Sequence, residues 1–506
     1  MAPATSLPST QTDRITLIAA AAALVALLLV NLGQLSFVDP DLWHEMALVR
    51  EAIEQGHIPL ADSFAYTPTV YPVVHHEWGA GAILYLVAQS FGAPGIMVLK
   101  FLLIATVAIC CFRTARMRGT SYAVIISLTP AVLVAGCFGF TTIRAQVFTM
   151  CMLAILLNCL TADERGSRRW IWLWLPLYVA WLNIHAGFVV GAGLFFLYTV
   201  EQLLRGRPAL HLILVGMMMA ALVGVNPYGW SYVPYLARAL FMPRPMTSEW
   251  QSLWSTSASM FGIYLLSLSI AVYAWWQLGS RQMSGILVLA ATAYAAAMHT
   301  RHLSLYFVVW LCYVPAWLQA TCLGAALDVV WRRHRGAIIA FSSLIALVSL
   351  VRVVPAAPWK LQMPVSMEQA RTGLPIYPVG AVEYLHAAGF QGNLMVPFDA
   401  GGYVMWRLHP QVKISLDGRY EVAYRPGVVE ELEGFYRAEP GWQEVLAHYP
   451  TDAVLVPRWC PVVEQMPTLD GWQRVYRDGA FEIFAPAGSD LPRVDRADAI
   501  TAGVFP

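Results

Sequence analysis

Apolar stretches long enough to cross a lipid bilayer recur along most of the chain. They lie at residues 15–35, 93–112, 120–140, 145–161, 170–184, 186–204, 209–225, 260–278, 284–299, 303–324 and 337–354. A helix needs about 20 apolar residues to span a hydrocarbon core of about 30 Å, and within it every backbone hydrogen bond is satisfied. The runs therefore predict a mainly α fold, a polytopic membrane helical bundle of about eleven spans.

The composition supports this class of protein. Of the 506 residues, 58% are hydrophobic and 12% are charged, whereas soluble domains carry about 25% charged residues. The net charge of +1 argues against a nucleic-acid partner, because such proteins need a basic face. Membrane lipid is the expected surrounding. Cys460 is the only cysteine of the C-terminal region, and no Cys/His spacing indicates structural zinc.

Arginines are concentrated in alternate loops between the apolar runs. One set of loops, together with the N-terminal tail, holds Arg14, Arg113, Arg116, Arg118, Arg165, Arg168, Arg169, Arg205, Arg207, Arg281, Arg332, Arg333 and Arg335. The opposite set holds only Arg50, Arg144, Arg238, Arg244 and Arg301. Because arginine-rich loops stay in the cytoplasm, we expect the N-terminus inside. Residues 36–78 and the C-terminal region are then outside.

The composition changes after residue 354. Residues 1–354 are predicted to form the membrane domain with its outer loop 36–78, and residues 355–506 a small extracytoplasmic α/β domain. Four short β-like runs lie there, at 393–397, 412–415, 453–456 and 481–484. They alternate with helical patterns at 379–388, 428–437 and 441–448. The glycines in DAGGYVMW (Asp399–Trp406) are typical of turns. Asp417 and Arg419 are expected to play a structural role, for instance by pairing.

The outer loop carries an unusual density of titratable groups for so apolar a chain. They are Asp39, Asp41, His44, Glu45, His75, His76 and Glu77. Charged groups at a membrane edge are costly, so such a cluster indicates function. Asp39-Pro40-Asp41 also fits a helix start, with Asp as N-cap, Pro at the first position and an acid in the first turn. The two roles are compatible.

The second half of the loop, His75-His76-Glu77-Trp78, has two interpretations. Trp78 could anchor an interfacial segment. Alternatively, the imidazoles and the carboxylate form an acid/base or metal site, since these groups are the usual ligands of a divalent ion. Asp41, His75 and Glu77 are the candidate metal ligands, although neighbouring residues rarely all reach one ion.

Further polar residues fall at predicted outer ends of spans. Arg144 and Arg301 either snorkel to the interface or bind an anionic head group. His185 is either a satisfied structural histidine or part of a site. Glu249 is a candidate second carboxylate, and His302 lies on the same side. Together these positions predict a polar cavity that opens outward.

The order of these motifs resembles the GT-C superfamily of integral-membrane glycosyltransferases, which includes protein O-mannosyltransferases and aminoarabinose transferases. The matching features are a short inner N-terminus, one span, and a long first outer loop with an acidic motif, here Asp39-Pro40-Asp41. A multi-span core and an outer C-terminal domain follow. DPDLWHEM, HHEW, IRAQVF, NIHAGF, NPYGW, EWQS and DGRYE are similar to a bacterial branch of such proteins.

The resemblance implies an inverting glycosyltransferase that moves a sugar from a polyprenyl-phosphate-linked donor to a glycan, lipid or protein acceptor. Such enzymes act at the outer face of the bacterial inner (cytoplasmic) membrane. Asp39 is then the general base, with Asp41 as second choice and Glu77 as a further catalytic carboxylate. Arg301 or Arg144 holds the donor phosphate. The remaining substrate-binding candidates are His44, His75, His76, His185, Glu249 and His302. The family does not settle whether a divalent metal ion takes part.

Two other functions are consistent with a membrane bundle. A transporter or flippase of polyprenyl-linked glycans would carry charges near the bilayer midplane and broken helices in matching halves. Lys100 is the main mid-span charge, and neither half repeats the other. A non-catalytic envelope-assembly protein would tolerate replacement of Asp39 by Asn.

Overall fold

The computed structural model of the protein describes residues 11–33, 36–242, 244, 248–370, 374–496 and 505. The part before residue 357 is helical. Its helices are α1 Gln11–Gly33, α2 Pro40–Gln55, α3 Trp78–Met117, α4 Tyr122–Gly136, α5 Ala145–Glu164, α6 Trp170–Ile184, α7 Phe188–Leu204, α8 Leu210–Leu222, α9 Tyr232–Phe241, α10 Ala258–Leu278, α11 Ile286–Met298, α12 Leu303–Gln319, α13 Cys322–Arg333 and α14 Arg335–Ala356.

Each predicted apolar run contains one of these helices. Five helical segments of the described chain are long and apolar enough to cross a membrane: residues 14–32, α3, α5, α10 and α14. The pair α12–α13, bent by 87°, would make a sixth, and α4, α6, α7, α8 and α11 are shorter apolar helices. The apolar helices are therefore confirmed, and the number that cross a bilayer stays a prediction. Helix α3 begins at Trp78, before the predicted run 93–112, and its regular backbone is broken at Gly92 (φ 58°).

Helices α5 and α12 form the centre of the bundle. Most of their side chains are buried, and large aromatic residues such as Trp174, Trp181 and Trp310 fill the space around them. Two glycines let the start of α3 approach its neighbours closely. A Cβ on Gly79 would lie 2.5 Å from the Asn183 carbonyl oxygen, and one on Gly81 would lie 2.6 Å from that of Glu45. The end of the outer loop is thereby held between α2 and the end of α6.

The C-terminal part contains a mixed six-stranded sheet of order β2-β1-β3-β5-β4-β6. Its elements are α15 Met367–Ala370, α16 Val379–Ala387, β1 Gly392–Met395, α17 Phe398–Leu408, β2 Val412–Ile414, α18 Tyr420–Ala423, α19 Val428–Tyr436, α20 Trp442–His448, β3 Ala453–Pro457, α21 Val462–Gln465, β4 Trp472–Arg477, β5 Phe481–Pro486 and β6 Val494–Asp495. Strands β2, β1 and β3 are parallel, with Leu394 opposite both Ile414 and Ala453. Strand β5 is antiparallel to both β3 and β4, and β6 pairs with β4 in parallel.

The predicted strands β1, β2, β3 and β5 and the helices α16, α19 and α20 are confirmed. Strands β4 and β6 had no counterpart in the prediction. The turn predicted at DAGGYVMW is wrong, because these residues form α17. Gly401 is needed there for contact rather than for a turn, since a Cβ would lie 1.9 Å from the Leu416 carbonyl oxygen.

Helix α2 joins the two parts of the chain. Its apolar face, with Leu42, Trp43 and Met46, lies in the same core as Tyr377 and Tyr403. The following loop runs beside β2, where the Ile414 amide donates to the Phe64 carbonyl and the Tyr66 amide donates to the Ile414 carbonyl. The two predicted domains, 1–354 and 355–506, therefore share one core. That core places the acidic start of α2 at the edge of the sheet.

Candidate active site

A cavity of about 1550 Å³ lies between the helical part and the sheet. All eleven residues that the sequence indicated as site candidates line it: Asp39, Asp41, His44, His75, His76, Glu77, Arg144, His185, Glu249, Arg301 and His302. The predicted polar cavity is therefore present. The start of α2, the end of the outer loop, the start of α5 and the turn before α12 each contribute part of its wall.

The start of α2 has the expected cap. The Asp39 side chain accepts a hydrogen bond from the Asp41 amide at 3.1 Å, and Pro40 is the first helical residue. Asp39 also lies 3.9 Å from the Arg144 Nε. Burial raises the pKa of Asp39 above its usual value, although Arg144 and a hydrogen bond with Thr142 oppose this shift. The Asp39 carboxylate therefore caps α2 and lines the cavity at the same time.

Two more carboxylates lie next to Asp39 on the same helix. Burial and the Asp39 charge raise the pKa of Asp41 well above its usual value. Burial and the nearby Glu77 do the same for Glu45. Neither carboxylate oxygen of Glu45 has a hydrogen-bond partner among the described residues, and the carboxylate of Asp41 likewise has none. The raised pKa values bring these groups closer to the range in which a carboxylate can exchange a proton near neutral pH.

Glu77 has the opposite electrostatic environment. His76 Nε2 lies 3.4 Å and His185 Nε2 3.2 Å from the same carboxylate oxygen. Burial favours the neutral carboxyl, but His76 and His185 outweigh it and hold the Glu77 pKa well below its usual value. Burial alone would lower the pKa of His76, yet Glu77 raises it. Glu77 is therefore ionised and His76 tends to be charged.

The tautomer of His185 follows from its other contacts. The indole N–H of Trp181 can only donate, so the Thr149 hydroxyl oxygen accepts this bond, at 2.8 Å. The Thr149 hydroxyl then donates to His185 Nδ1 at 2.7 Å, and the Gly187 amide also donates to Nδ1. Nδ1 is thus an acceptor and Nε2 carries the proton that faces Glu77. Burial lowers the pKa of His185, in agreement with a neutral ring.

Next to Asp39 the cavity is lined by Arg144, and Arg301 lies nearby; this part of the lining is called the arginine wall. Arg144 is 2.5 Å from the Glu249 carboxylate and 2.7 Å from the Gln146 side-chain oxygen. Burial would raise the pKa of Glu249, but Arg144 and Arg301 outweigh it and lower this pKa. The Arg301 guanidinium lies over the Trp250 ring, 4.5 Å from its centroid, and has no hydrogen-bond partner in the described chain. It is therefore a cation with its donors still available.

Arg244 packs on the same indole. Its guanidinium is 4.4 Å from the Trp250 centroid and forms an ion pair with Glu421, which lies after β2. The Trp250 ring thus has two guanidinium neighbours, one of them tied to the sheet part of the chain. Cation–π contacts of this kind restrict both partners when water is excluded. The arginine wall and the sheet are held together at this point.

The remaining candidate histidines differ in their contacts. Burial lowers the pKa of His44 to about 4, and its Nδ1 atom has no partner among the described residues. Burial also lowers the pKa of His75, whose backbone amide donates to the Tyr228 hydroxyl. The His302 ring meets the Trp250 ring edge-on, with centroids 6.0 Å apart. His44 and His75 are therefore neutral.

Comparison with solved structures identifies the architecture. The chain superposes on ArnT from Cupriavidus metallidurans bound to undecaprenyl phosphate with a TM-score of 0.52 and 14% identity, over 96% of this chain and 99% of that one. The apo ArnT structure gives a TM-score of 0.51 and 12% identity over 92% and 97% of the two chains. This chain has the GT-C fold. The resemblance inferred from the motifs is thereby confirmed at the level of fold.

A second protein with the GT-C fold is also similar. The arabinofuranosyltransferase AftD from Mycobacteria matches with a TM-score of 0.53 and 15% identity over 96% of this chain. This chain spans 40% of the length of AftD. No sequence family and no curated protein matches the chain.

Within this GT-C fold, the metal candidates do not form a ligand set. The described residues contain no group of three or more His, Cys, Asp or Glu side chains placed to hold a metal ion. Glu77 is occupied by two histidines. Asp41, His75 and Glu77 line the same cavity without converging on one point.

Sequence reasoning missed several residues that line the cavity. Tyr235, whose hydroxyl lies 2.8 Å from His76 Nδ1, comes from a helix that carried no site signal. Glu45 was named with the acidic cluster of the outer loop but not as a site candidate, although its spacing of four from Asp41 places both on one helix face. Asp399, Glu433 and Trp459 come from the sheet part, and only knowledge of the strand order could have placed them.

Proposed function

We propose that this protein is a membrane glycosyltransferase that transfers a sugar from a polyprenyl-phosphate-linked donor to an acceptor hydroxyl. The observation that carries the proposal is the division of one cavity into a wall of carboxylates and a wall of arginines. Among the residues the structure describes, neither the Asp41 carboxylate nor the Arg301 guanidinium has a hydrogen-bond partner, and both line this cavity. The ArnT structure with undecaprenyl phosphate supports the choice of lipid.

In the proposed reaction, the acceptor oxygen attacks the anomeric carbon of the donor sugar. The bond between that carbon and the phosphate oxygen breaks, and polyprenyl phosphate leaves with the electron pair. A single displacement of this kind inverts the anomeric centre. The acceptor proton passes to a carboxylate, and the charge that develops on the phosphate requires a cation.

We assign the base to Asp41 rather than to Asp39. Asp39 caps α2 and faces Arg144, so its oxygens are already engaged. Asp41 is the next carboxylate on the cavity wall, and its raised pKa suits a proton acceptor. Asp39 then positions the start of α2 and Arg144.

We assign the donor phosphate to Arg301. Arg144 is neutralised by Glu249, whereas the donors of Arg301 are available. A guanidinium matches phosphate geometry and remains charged. In this proposal Glu77 is the ionised anchor that orients His76 and His185 at the cavity wall.

The proposed setting is the bacterial cytoplasmic membrane, with the cavity on its outer face. The five long apolar helices support a membrane location, and the arginine-poor loops on the cavity side support the orientation.

The test is turnover of polyprenyl-phosphate sugars by protein reconstituted in liposomes. Release of polyprenyl phosphate is measured, with water or an envelope extract as acceptor. We expect Asp41→Asn to lower the rate by roughly 10²–10⁴, the usual contribution of a general base, and Asp39→Asn to lower it less. Glu444→Gln, an exposed carboxylate on α20, is the matched control. Wild-type turnover in both aspartate variants would remove the catalytic proposal and favour a transport or assembly role.

A further inference from the structure

The three parallel strands of the sheet end at the same cavity. Residues at or just after the ends of three strands all line it: Gly418, Arg419 and Tyr420 after β2, Pro397, Phe398 and Asp399 after β1, and Pro457, Trp459 and Cys460 at the end of β3. Strand β1 lies between the other two, so the chain moves to one side of β1 to form β2 and to the other side to form β3. In open α/β sheets, ligands bind outside the carboxyl ends of the strands where the strand order reverses in this way.

Two side chains at this edge are presented to the cavity without being used by the fold. Trp459 is 45% exposed, although its ring meets Phe481 edge-on at 5.5 Å. Asp399 is exposed to the cavity and has no hydrogen bond or ion pair with another described residue. Asp399 is in the first turn of α17, but it caps no amide there. Neither residue is therefore explained by packing or capping.

The chemistry of this edge favours an uncharged, hydroxyl-rich ligand. An indole face stacks against the C–H face of a sugar ring, and a carboxylate accepts hydrogen bonds from hydroxyl groups. Glu433 adds a second carboxylate, which pairs with Arg437 at 3.2 Å. The remaining unpaired charge on Asp399 would repel an anionic ligand.

The edge is also connected to the carboxylates of α2. A Cβ on Gly418 would lie 3.1 Å from the Asp41 Oδ1 atom and 3.3 Å from the His44 Nδ1 atom. Neighbouring strands lie roughly 5 Å apart, so the end of β3 is roughly 10 Å from the end of β2, with the end of β1 between them. A ligand on Trp459 can therefore extend to Asp41 along one wall.

We propose that the carboxyl edge of β2, β1 and β3 is a saccharide-binding subsite that takes an uncharged saccharide, with Trp459 as the stacking platform and Asp399 as hydrogen-bond acceptor. Its assignment to the acceptor substrate rests on the glycosyl transfer proposed above. Binding of the saccharide itself does not depend on that transfer.

The test is ligand-observed saturation-transfer NMR on the full-length protein in phospholipid nanodiscs, prepared without sugar-based detergents and without any donor. Maltotriose is the neutral probe and trigalacturonic acid the anionic one. We expect saturation transfer to maltotriose, and affinity about tenfold lower for Trp459→Ala, a typical loss for an aromatic anchor. Asp399→Asn weakens binding less and brings the two probes closer in affinity. Trp172→Ala, which removes a tryptophan that is 84% exposed on α6 and lies outside the cavity lining, leaves binding unchanged.

Three results would overturn the inference: no detectable binding of maltotriose, equal affinity of wild type and Trp459→Ala, or binding of trigalacturonic acid as tight as that of maltotriose. Thermal unfolding checks that the variants are folded. If Trp459→Ala does not fold, the comparison of Asp399→Asn with wild type still tests the proposal. If Asp41→Asn retains wild-type turnover while Trp459-dependent binding is found, glycosyl transfer is disproved and the saccharide site stands.

Discussion

Two walls of the same cavity have opposite electrostatics. On the carboxylate wall, Asp39, Asp41 and Glu45 are buried close together, and their pKa values are raised. On the arginine wall, Arg144 and Arg301 lower the pKa of Glu249 and leave a net positive charge. Buried charges of opposite sign are each costly alone, and each lowers the cost of the other when the two lie close together. In the proposed reaction this difference has a use, because the carboxylate wall accepts the proton and the arginine wall holds the anionic phosphate.

The largest loss of activity within the arginine wall is expected when Arg301 is replaced. Arg301→Ala deletes the guanidinium over Trp250. We expect donor turnover to fall by roughly 10²–10³, the loss typical of one preorganised donor to a developing negative charge. Rates are measured with the liposome assay, and Arg301→Lys should recover part of the activity. Arg281→Ala, on the opposite side of the predicted membrane, is the control. Equal rates for Arg301→Ala and wild type would mean that the two walls do not act together.

The ion pair between Arg144 and Glu249 tests how much the arginine wall contributes to the stability of the fold. Within the described part of the chain, Glu249→Gln leaves the Arg144 guanidinium with only Asp39 as an acidic neighbour within 4 Å. We expect a loss of about 1–3 kcal/mol in the free energy of unfolding, since this pair is only partly buried. The loss is followed by titration with SDS in mixed micelles. Arg437→Gln, at an exposed pair on α19, should change stability by less than about 0.5 kcal/mol.

The contribution of the carboxylate wall to the free energy of unfolding should change with pH in the direction opposite to that of a carboxylate in an ion pair. Because burial and Glu77 raise the pKa of Glu45 in the folded state, its contribution to stability is complete below the unfolded-state pKa and is lost as the pH rises through the folded-state pKa. Glu45→Gln should therefore be more stable than wild type at neutral pH, by roughly 0.5–2 kcal/mol. The gain should disappear below about pH 4. A destabilised Glu45→Gln at neutral pH would show that the wall is paired rather than repulsive.

An effect similar in size to that of Glu45→Gln, but of opposite sign, is expected for the contacts that set the His185 tautomer. Thr149→Val removes the hydroxyl between Trp181 and His185. We expect a loss of about 1–2 kcal/mol in the free energy of unfolding, because a buried indole N–H loses its acceptor. Thr149→Ser should restore it. Nitrogen-15 NMR of labelled histidine measures the tautomer, and an unchanged Nε2–H form in Thr149→Val would show that Glu77 and the Gly187 amide suffice to determine it.

The sequence predicted the fold class because apolar periodicity is a local property. A run of about 20 apolar residues becomes a helix in a membrane wherever it occurs. The helix start at Asp39-Pro40-Asp41 could be predicted for the same reason, since capping involves neighbours two residues apart. The turn predicted at DAGGYVMW failed because Gly401 is selected by a contact with Leu416, not by its own backbone conformation.

By itself, the sequence determined the apolar helices, the acidic cap of α2 and eleven of the residues that line the cavity. Only the tertiary structure decided which of these groups are paired. Glu77 is paired with His76 and with the distant His185, whereas Asp41, on the same outer loop as Glu77, has no such partner among the described residues. Only the strand order brought Asp399 and Trp459 to the same cavity. The physical reason is that pairing and burial depend largely on contacts between residues about a hundred or more positions apart, such as Glu77 and His185, and no local pattern records them.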